Sequence, residues 1–193
     1  MAKRTKTIPS TQEIENEIRR VKYRDEYISI FKNTLASLVI LSAIVALVFT
    51  LVLPTFRTQG SAMSPTLSDG QLVSAMRTAK VNKGDIVCFY YNNKVLIKRV
   101  IAVGGDKVDI DKDGNVTVND VPVDEPYIQE KAISDCTVSF PYQVPIGKFF
   151  VLGDDRDISI DSRHTEVGCV AQEQIIGKVV LRLWPLKDIS IFK

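Results

Sequence analysis

The chain has 193 residues, 45% hydrophobic and 25% charged, with a formal net charge of +2. That length suits one folded domain with appendages, and the balanced charge, without an Arg/Lys stripe interleaved with aromatics, argues against nucleic-acid binding. The single histidine, His164, and the cysteines Cys88, Cys136 and Cys169 lack metal-ligand spacing, so neither a metal site nor a cofactor is expected.

The first predicted element is a helix over "TQEIENEIRRVKYRDEYISIFK", with Thr11 as its cap. Ile14, Ile18 and Val21 recur at helical spacing, followed by Tyr27 and Phe31. The pattern fits either an amphipathic helix that rests on the inner membrane leaflet or runs into the span, or a solvated, partly frayed helix that only supplies positive charge.

Next comes "LASLVILSAIVALVFTLVL", Leu35 to Leu53, with no charged residue and only Ser37, Ser42 and Thr50 polar. At 1.5 Å per residue this run crosses a hydrocarbon core about 30 Å thick. The stretch before it is too long for a signal-peptide n-region, and "LPTFRTQ" after it holds no small-x-small site, so a retained anchor that crosses once is expected. Arg19, Arg20, Lys22, Arg24 and Lys32 precede the run, while Arg57 stands alone after it until Arg77. The positive-inside rule then places the N-terminus in the cytoplasm. The expected organisation is a cytoplasmic segment over 1–33, a transmembrane helix over 34–54 and an extracytoplasmic domain over 55–193.

Beyond Pro54 the pattern changes to short β-prone runs between turns. "GDIVCFYY" and "VLIKRVIAV" flank the hairpin-like "NNK". "KVDIDKDGNVTVNDVPV" alternates around the turn signals "DG" and "ND", and "KFFVLGDD" and "IIGKVVLRLWPL" complete the set. Only "VAQEQI" invites a helical turn. The fold class is therefore mainly β: antiparallel sheet with an extended β-ribbon, behind one N-terminal helix. "DKDGN" is a β-turn, because the calcium-loop motif needs a glutamate where Pro122 stands. Cys88 reads as core, and a Cys136–Cys169 bridge has no support beyond the presence of the two residues.

Three separated motifs then occur in order behind the anchor. They are "GSAMSPTL" (Gly60 to Leu67), "GDIVCFYYNNKVLIKRVIAVGGD" with its Lys98–Arg99 pair, and "GDDRDISIDSR" (Gly153 to Arg163). Together they resemble the bacterial, single-span type I signal peptidases over the anchor and nearly all of Thr55 to Leu186. The family reads Gly-x-Ser-Met-x-Pro-Thr-Leu in the first motif, so Ala62 occupies the nucleophile position. The resemblance implies Lys98 as general base, Ser159 as the residue that orients its amine, and Asp154, Asp161, Arg163 and Gly60 as support, with Asp161–Arg163 an ion pair. It also implies signal peptides of secretory pre-proteins as partners, cut after small-x-small sites. Asp155 departs from the usual asparagine and should point away from Lys98 in a competent site.

The residues make chemical sense of this. Peptide hydrolysis needs a nucleophile, a base and oxyanion donors. Without a nearby histidine the base must be a lysine that is neutral near pH 7, which demands burial. Lys98 lies in the most apolar run outside the anchor. An extended peptide can add to the segments before Met63 and before Lys98, with Met63, Leu96 and Ile97 lining apolar pockets. Leu96 and Ile97 cannot both face one way on a regular strand.

Neither Ser61 nor Ser64 replaces the missing hydroxyl: in an extended loop the first faces away, and the second is displaced by roughly 6.5 Å. Retention of Lys98, Ser159 and the Asp/Arg shell favours a single Ser→Ala replacement in a working peptidase over a long-lapsed lineage. The chain is then an inactive, substrate-binding form. The competing reading is a non-catalytic binding or assembly factor at the outer membrane face, which a solvated Lys98 would favour. The related self-cleaving repressor proteases share a Ser-x-Met loop and a lysine but carry no anchor. Because Thr55 to Gln59 is short, the site is expected near the membrane, with Trp184 or Phe192 dipping into the interface.

Overall fold

The computed structural model describes residues 10–77, 80–131 and 136–192. The chain divides into two compact units between Val48 and Phe49.

Helix α1 (Thr11–Val52) runs for 42 residues, roughly 63 Å. Its cap is Ser10 rather than Thr11. The Glu13 amide donates to Ser10 Oγ at 3.4 Å and the Ser10 amide to Glu13 Oε2 at 2.8 Å, a reciprocal capping box. The helix is continuous through residue 34, so the expected division between 1–33 and 34–54 marks no break in the backbone. In the apolar run, Ser37 Oγ and Ser42 Oγ donate to the carbonyls of Thr34 and Val39, each at 2.8 Å. Such back-bonding satisfies the hydroxyls within the helix itself.

The second unit is built of β1 (Thr55–Arg57), β2 (Leu72–Met76), β3 (Ile86–Tyr91), β4 (Lys94–Val103), β5 (Lys107–Ile110) and β6 (Val116–Val118). Strands β7 (Val121–Pro122), β8 (Tyr142–Gln143), β9 (Lys148–Leu152), β10 (Val170–Ala171), β11 (Ile175–Trp184) and β12 (Ser190–Ile191) follow. The larger sheet has the order β1-β2-β11-β3-β4-β9-β10 with β12 beside β11, and the smaller has the order β7-β6-β5-β8. The pairings are antiparallel throughout. A mainly antiparallel β domain follows one N-terminal apolar helix, the architecture the patterning predicts.

The β3–β4 hairpin turns on Asn92 and Asn93, whose φ values of 44° and 61° are left-handed. Asparagine tolerates that region, which suits a tight two-residue hairpin. Strand β9 binds the unit together through alternation. Phe150 and Leu152 pack with Val108, Val116, Val118 and Val144 beneath the small sheet. Phe149 and Val151 pack on the other face with Val87, Phe89, Val100 and Val170. A third cluster gathers Met63, Leu67, Val73, Ala75, Cys88 and Val179. Cys88 is core, its thiol pushed up to about 12 by burial, and Cys136 and Cys169 are not bridged to each other. Trp184 is 51% exposed, whereas Phe192 packs against the third cluster.

Candidate active site

The site grows from the loop after β9. In Gly153–Arg163 a buried guanidinium replaces regular secondary structure as the organiser. Arg163 Nε and Nη2 donate to the two Asp161 oxygens at 2.9 and 3.0 Å, and Nη2 also reaches the carbonyls of Arg156 (2.8 Å) and Ser159 (3.2 Å). Asp161 Oδ2 accepts the Gly153 amide at 3.0 Å, so one carboxylate ties the two ends of the loop. Burial alone would raise the Asp161 carboxyl; the hydrogen bonds and charge of Arg163 hold it below the ordinary value.

This wrapping aims Ser159 inward, where its Oγ accepts a hydrogen bond from Lys98 Nζ at 2.6 Å. Lys98 comes from the middle of β4 and is only 4% exposed. Burial brings its amine down from 10.5 to about 8, with Arg163 assisting and Asp161, Asp154 and Asp155 opposing. Asp155 acts last among these charges and is half-buried. Its amide donates to the Ala62 carbonyl at 3.2 Å.

The neighbouring Arg99 clamps Asp154 with two bonds, Nε to Oδ1 at 2.8 Å and Nη2 to Oδ2 at 2.6 Å. Thr66 Oγ1 donates to Asp154 Oδ2 and accepts from Arg99 Nη2 at 3.2 Å. The loop bearing Ala62 is thereby fastened to both β4 and the Gly153 loop. Arg99 and Thr66 belong to this fastening, a part that sequence patterning does not assign to them. Gly153 is required for space: a Cβ there would overlap Ser159 Oγ and stand 2.5 Å from the Ala62 carbonyl.

Ala62, Lys98 and Met63 border one groove of about 390 Å³, with Gly60 and Leu67 on the same side and Leu96 and Ile97 on the other. Met63 and Ile97 share the third core cluster, while Leu96 packs with the Val87–Phe89 cluster on the opposite face. Val95 stands with Ile97 on the Met63 side, two residues along the strand. The period of two could have assigned it to the groove. The groove mouth adds Arg57, Thr58, Gln59 and Lys94.

Chemically, the arrangement offers a lysine amine that is easily deprotonated, oriented by a hydroxyl and beside a groove. It holds no hydroxyl at position 62. Residues 31–184 match the family described as signal peptidase, peptidase S26. Signal peptidase IB of Staphylococcus aureus is 34% identical over 172 aligned positions, covering 79% of this chain and 88% of that protein. Signal peptidase I U of Bacillus subtilis strain 168 is 33% identical over 174, covering 81% and 92%. A crystal structure of a signal peptidase I from Enterococcus faecalis V583 aligns with a TM-score of 0.42 and 29% identity over 52% of this chain and 97% of that one. A match over most of the sequence, with relatives above 30% identity, establishes that the chain belongs to the signal peptidase family, peptidase S26.

Proposed function

We propose that this chain is a membrane-anchored signal peptidase in which Ala62 has replaced the nucleophilic serine, so that it binds the signal peptides of secretory pre-proteins without cutting them. The observation that carries this reading is the buried Lys98 amine, held at 2.6 Å by Ser159 beside the groove that Ala62 borders. A buried lysine is costly to keep, and a retained one has a use.

With a serine at 62, the neutral Lys98 amine takes the hydroxyl proton as Oγ attacks the scissile carbonyl. The resulting oxyanion is met by backbone N–H groups of the loop, and the lysinium returns its proton to the leaving amine of the mature chain. Water, deprotonated by the same lysine, then releases the signal peptide from the acyl-enzyme. Ser159 holds the amine in line, and Asp161, Arg163 and Asp154 hold Ser159 and the loop. Met63, Val95 and Ile97 give the groove an apolar side, where the small side chains before the cut would sit.

The anchor over 34–54 takes in the C-terminal half of α1 and the two residues after it, the N-terminal segment 1–33 is cytoplasmic by the basic residues that precede the run, and 55–193 is extracytoplasmic. A binding factor at the outer face would also carry Ala62, but it calls for a solvated Lys98, and the buried amine favours the peptidase lineage.

The test is a paired assay of the full chain and its Ala62→Ser form, in liposomes, against one secretory pre-protein. Cleavage after a small-x-small site by the serine form alone, faster by on the order of 10⁴ to 10⁶, supports the peptidase lineage. A folded serine form that leaves every pre-protein intact sinks it and favours the binding factor.

A further inference from the structure

The segment between β7 and β8 belongs to the small sheet's connections, yet two of its side chains end beside the active-site shell. Glu125 pairs with Arg156, both side chains almost fully buried at 3% and 2% exposure. Arg156 Nε in turn donates to the Gly153 carbonyl at 2.9 Å. The Arg156 carbonyl accepts Arg163 Nη2, the same nitrogen that holds the Ser159 carbonyl. Two residues along, the Tyr127 hydroxyl donates to Glu125 Oε1 at 3.0 Å and its ring lies 3.8 Å from the Arg99 guanidinium carbon. Arg99 is the residue that clamps Asp154 and Thr66.

One short stretch therefore backs two of the three guanidinium groups around the site, those of Arg156 and Arg99. Glu125 acts on the Ser159 loop through Arg156, and Tyr127 acts on the Ala62 loop through Arg99. A buried ion pair is a poor stabiliser, because desolvation offsets much of its attraction. A planar guanidinium held by a carboxylate or stacked on a ring has its direction set. Direction is what a hydroxyl–amine pair at 2.6 Å requires.

We propose that Glu125 and Tyr127 are positioning residues of the active site, a strap from the small sheet that sets the Arg156 and Arg99 guanidiniums and through them the Ser159 and Ala62 loops. The proposal rests on the peptidase reading for its catalytic consequence, but the strap's effect on Lys98 can be read without catalysis.

The experiment uses the full chain in detergent. In the Ala62→Ser background, Glu125→Gln and Tyr127→Leu are expected to lower kcat about 10- to 100-fold while KM changes by less than about threefold. Tyr127→Phe keeps the ring and should retain more kcat than Tyr127→Leu. In the chain as it stands, the Lys98 amine is titrated by NMR with labelled lysine. The charged groups facing it are Asp161, Arg163, Asp154 and Asp155. Its midpoint should rise toward the ordinary lysine value in Glu125→Gln, because a loosened Ser159 loop admits water. Variants that melt like the parent and leave both kcat and the Lys98 midpoint unmoved overturn the proposal. So does a lowered melting temperature with neither quantity changed, which marks a merely structural strap. If the Ala62→Ser chain cuts nothing, the peptidase reading fails by itself, and the Lys98 midpoint alone decides for or against the strap.

Discussion

Lys98 and Ser159 stand 61 residues apart in sequence and 2.6 Å apart in space, joined by a hydrogen bond from the amine to the hydroxyl. The strand supplies the amine with burial, and the loop wrapped on Arg163 supplies it with direction. The two contributions are separable, and each has its own measurable consequence.

Rate against pH reports the amine. Lys98 must be neutral to accept a proton, and its pKa is about 8. The Ala62→Ser form should lose activity about tenfold per pH unit below 8 and level off above it. Asp155 raises this pKa, so adding Asp155→Asn should move the acid limb to lower pH. An unmoved limb would mean that the Asp155 carboxylate is screened from the amine.

Stability reports the cost of burying that amine. The folded pKa, about 8, lies below the ordinary 10.5, so the penalty, about 3 kcal/mol, is fully present below pH 8 and relieved as pH rises from 8 to 10.5. Replacing the lysine, Lys98→Met, should raise stability at pH 7 by about 1–3 kcal/mol, the loss of the Ser159 bond offsetting part of the gain. The difference should shrink near pH 10.5. Thermal unfolding of the full chain in detergent at the two pH values measures both. Equal gains at pH 7 and pH 10.5 would show that packing, not charge, is responsible.

Gly153 is the most exacting small residue in the site. A methyl there meets Ser159 Oγ and the Ala62 carbonyl at once, and the latter is backbone that can move only with its loop. Gly153→Ala in the Ala62→Ser form should therefore cost more activity than Ser159→Ala, by about 100-fold or more relative to the parent, with a lowered melting temperature. Near-parental kinetics in Gly153→Ala would show that the loops separate freely.

The Asp161–Arg163 pair is fully buried, at 0% and 1% side-chain exposure. Asp161→Asn leaves the guanidinium without its counter-charge and should destabilise the fold by about 3–5 kcal/mol. Because the folded Asp161 pKa is depressed, the pair's contribution is present above the unfolded carboxylate pKa and lost as pH falls through the folded one. Acid unfolding of parent and variant should converge at the lowest pH reached; a constant gap throughout would contradict the electrostatic account.

Trp184 is the only tryptophan, and it stands with exposed Leu186 and Ile191 near the end of β11. Its emission should shift to the blue on transfer from detergent to vesicles and be quenched by lipids brominated near the headgroup. Unchanged emission would remove the interfacial role. Phe192 is partly buried against the third cluster, 5.9 Å from Arg182.

Much of this was legible in one dimension. The long apolar helix reads from an uninterrupted apolar run, whose residue count matches the thickness of a bilayer core. The antiparallel fold reads from alternation and from turn residues such as Asn92–Asn93, whose backbone preferences are local. Lys98 and Ser159 read from motifs whose spacing is fixed within single segments. The cap at Ser10 was open to reading from its Ser-x-x-Glu box and Val95 from the period of two, whereas packing decided that Ile97 rather than Leu96 joins the Met63 cluster. The larger part settled in three dimensions is the support of the site. Arg99 with Thr66, Gly153 with the Ala62 carbonyl, and Glu125 with Arg156 join segments 31 to 91 residues apart. Buried charges seek whichever partner the fold brings near, and no local period encodes a partner at that separation.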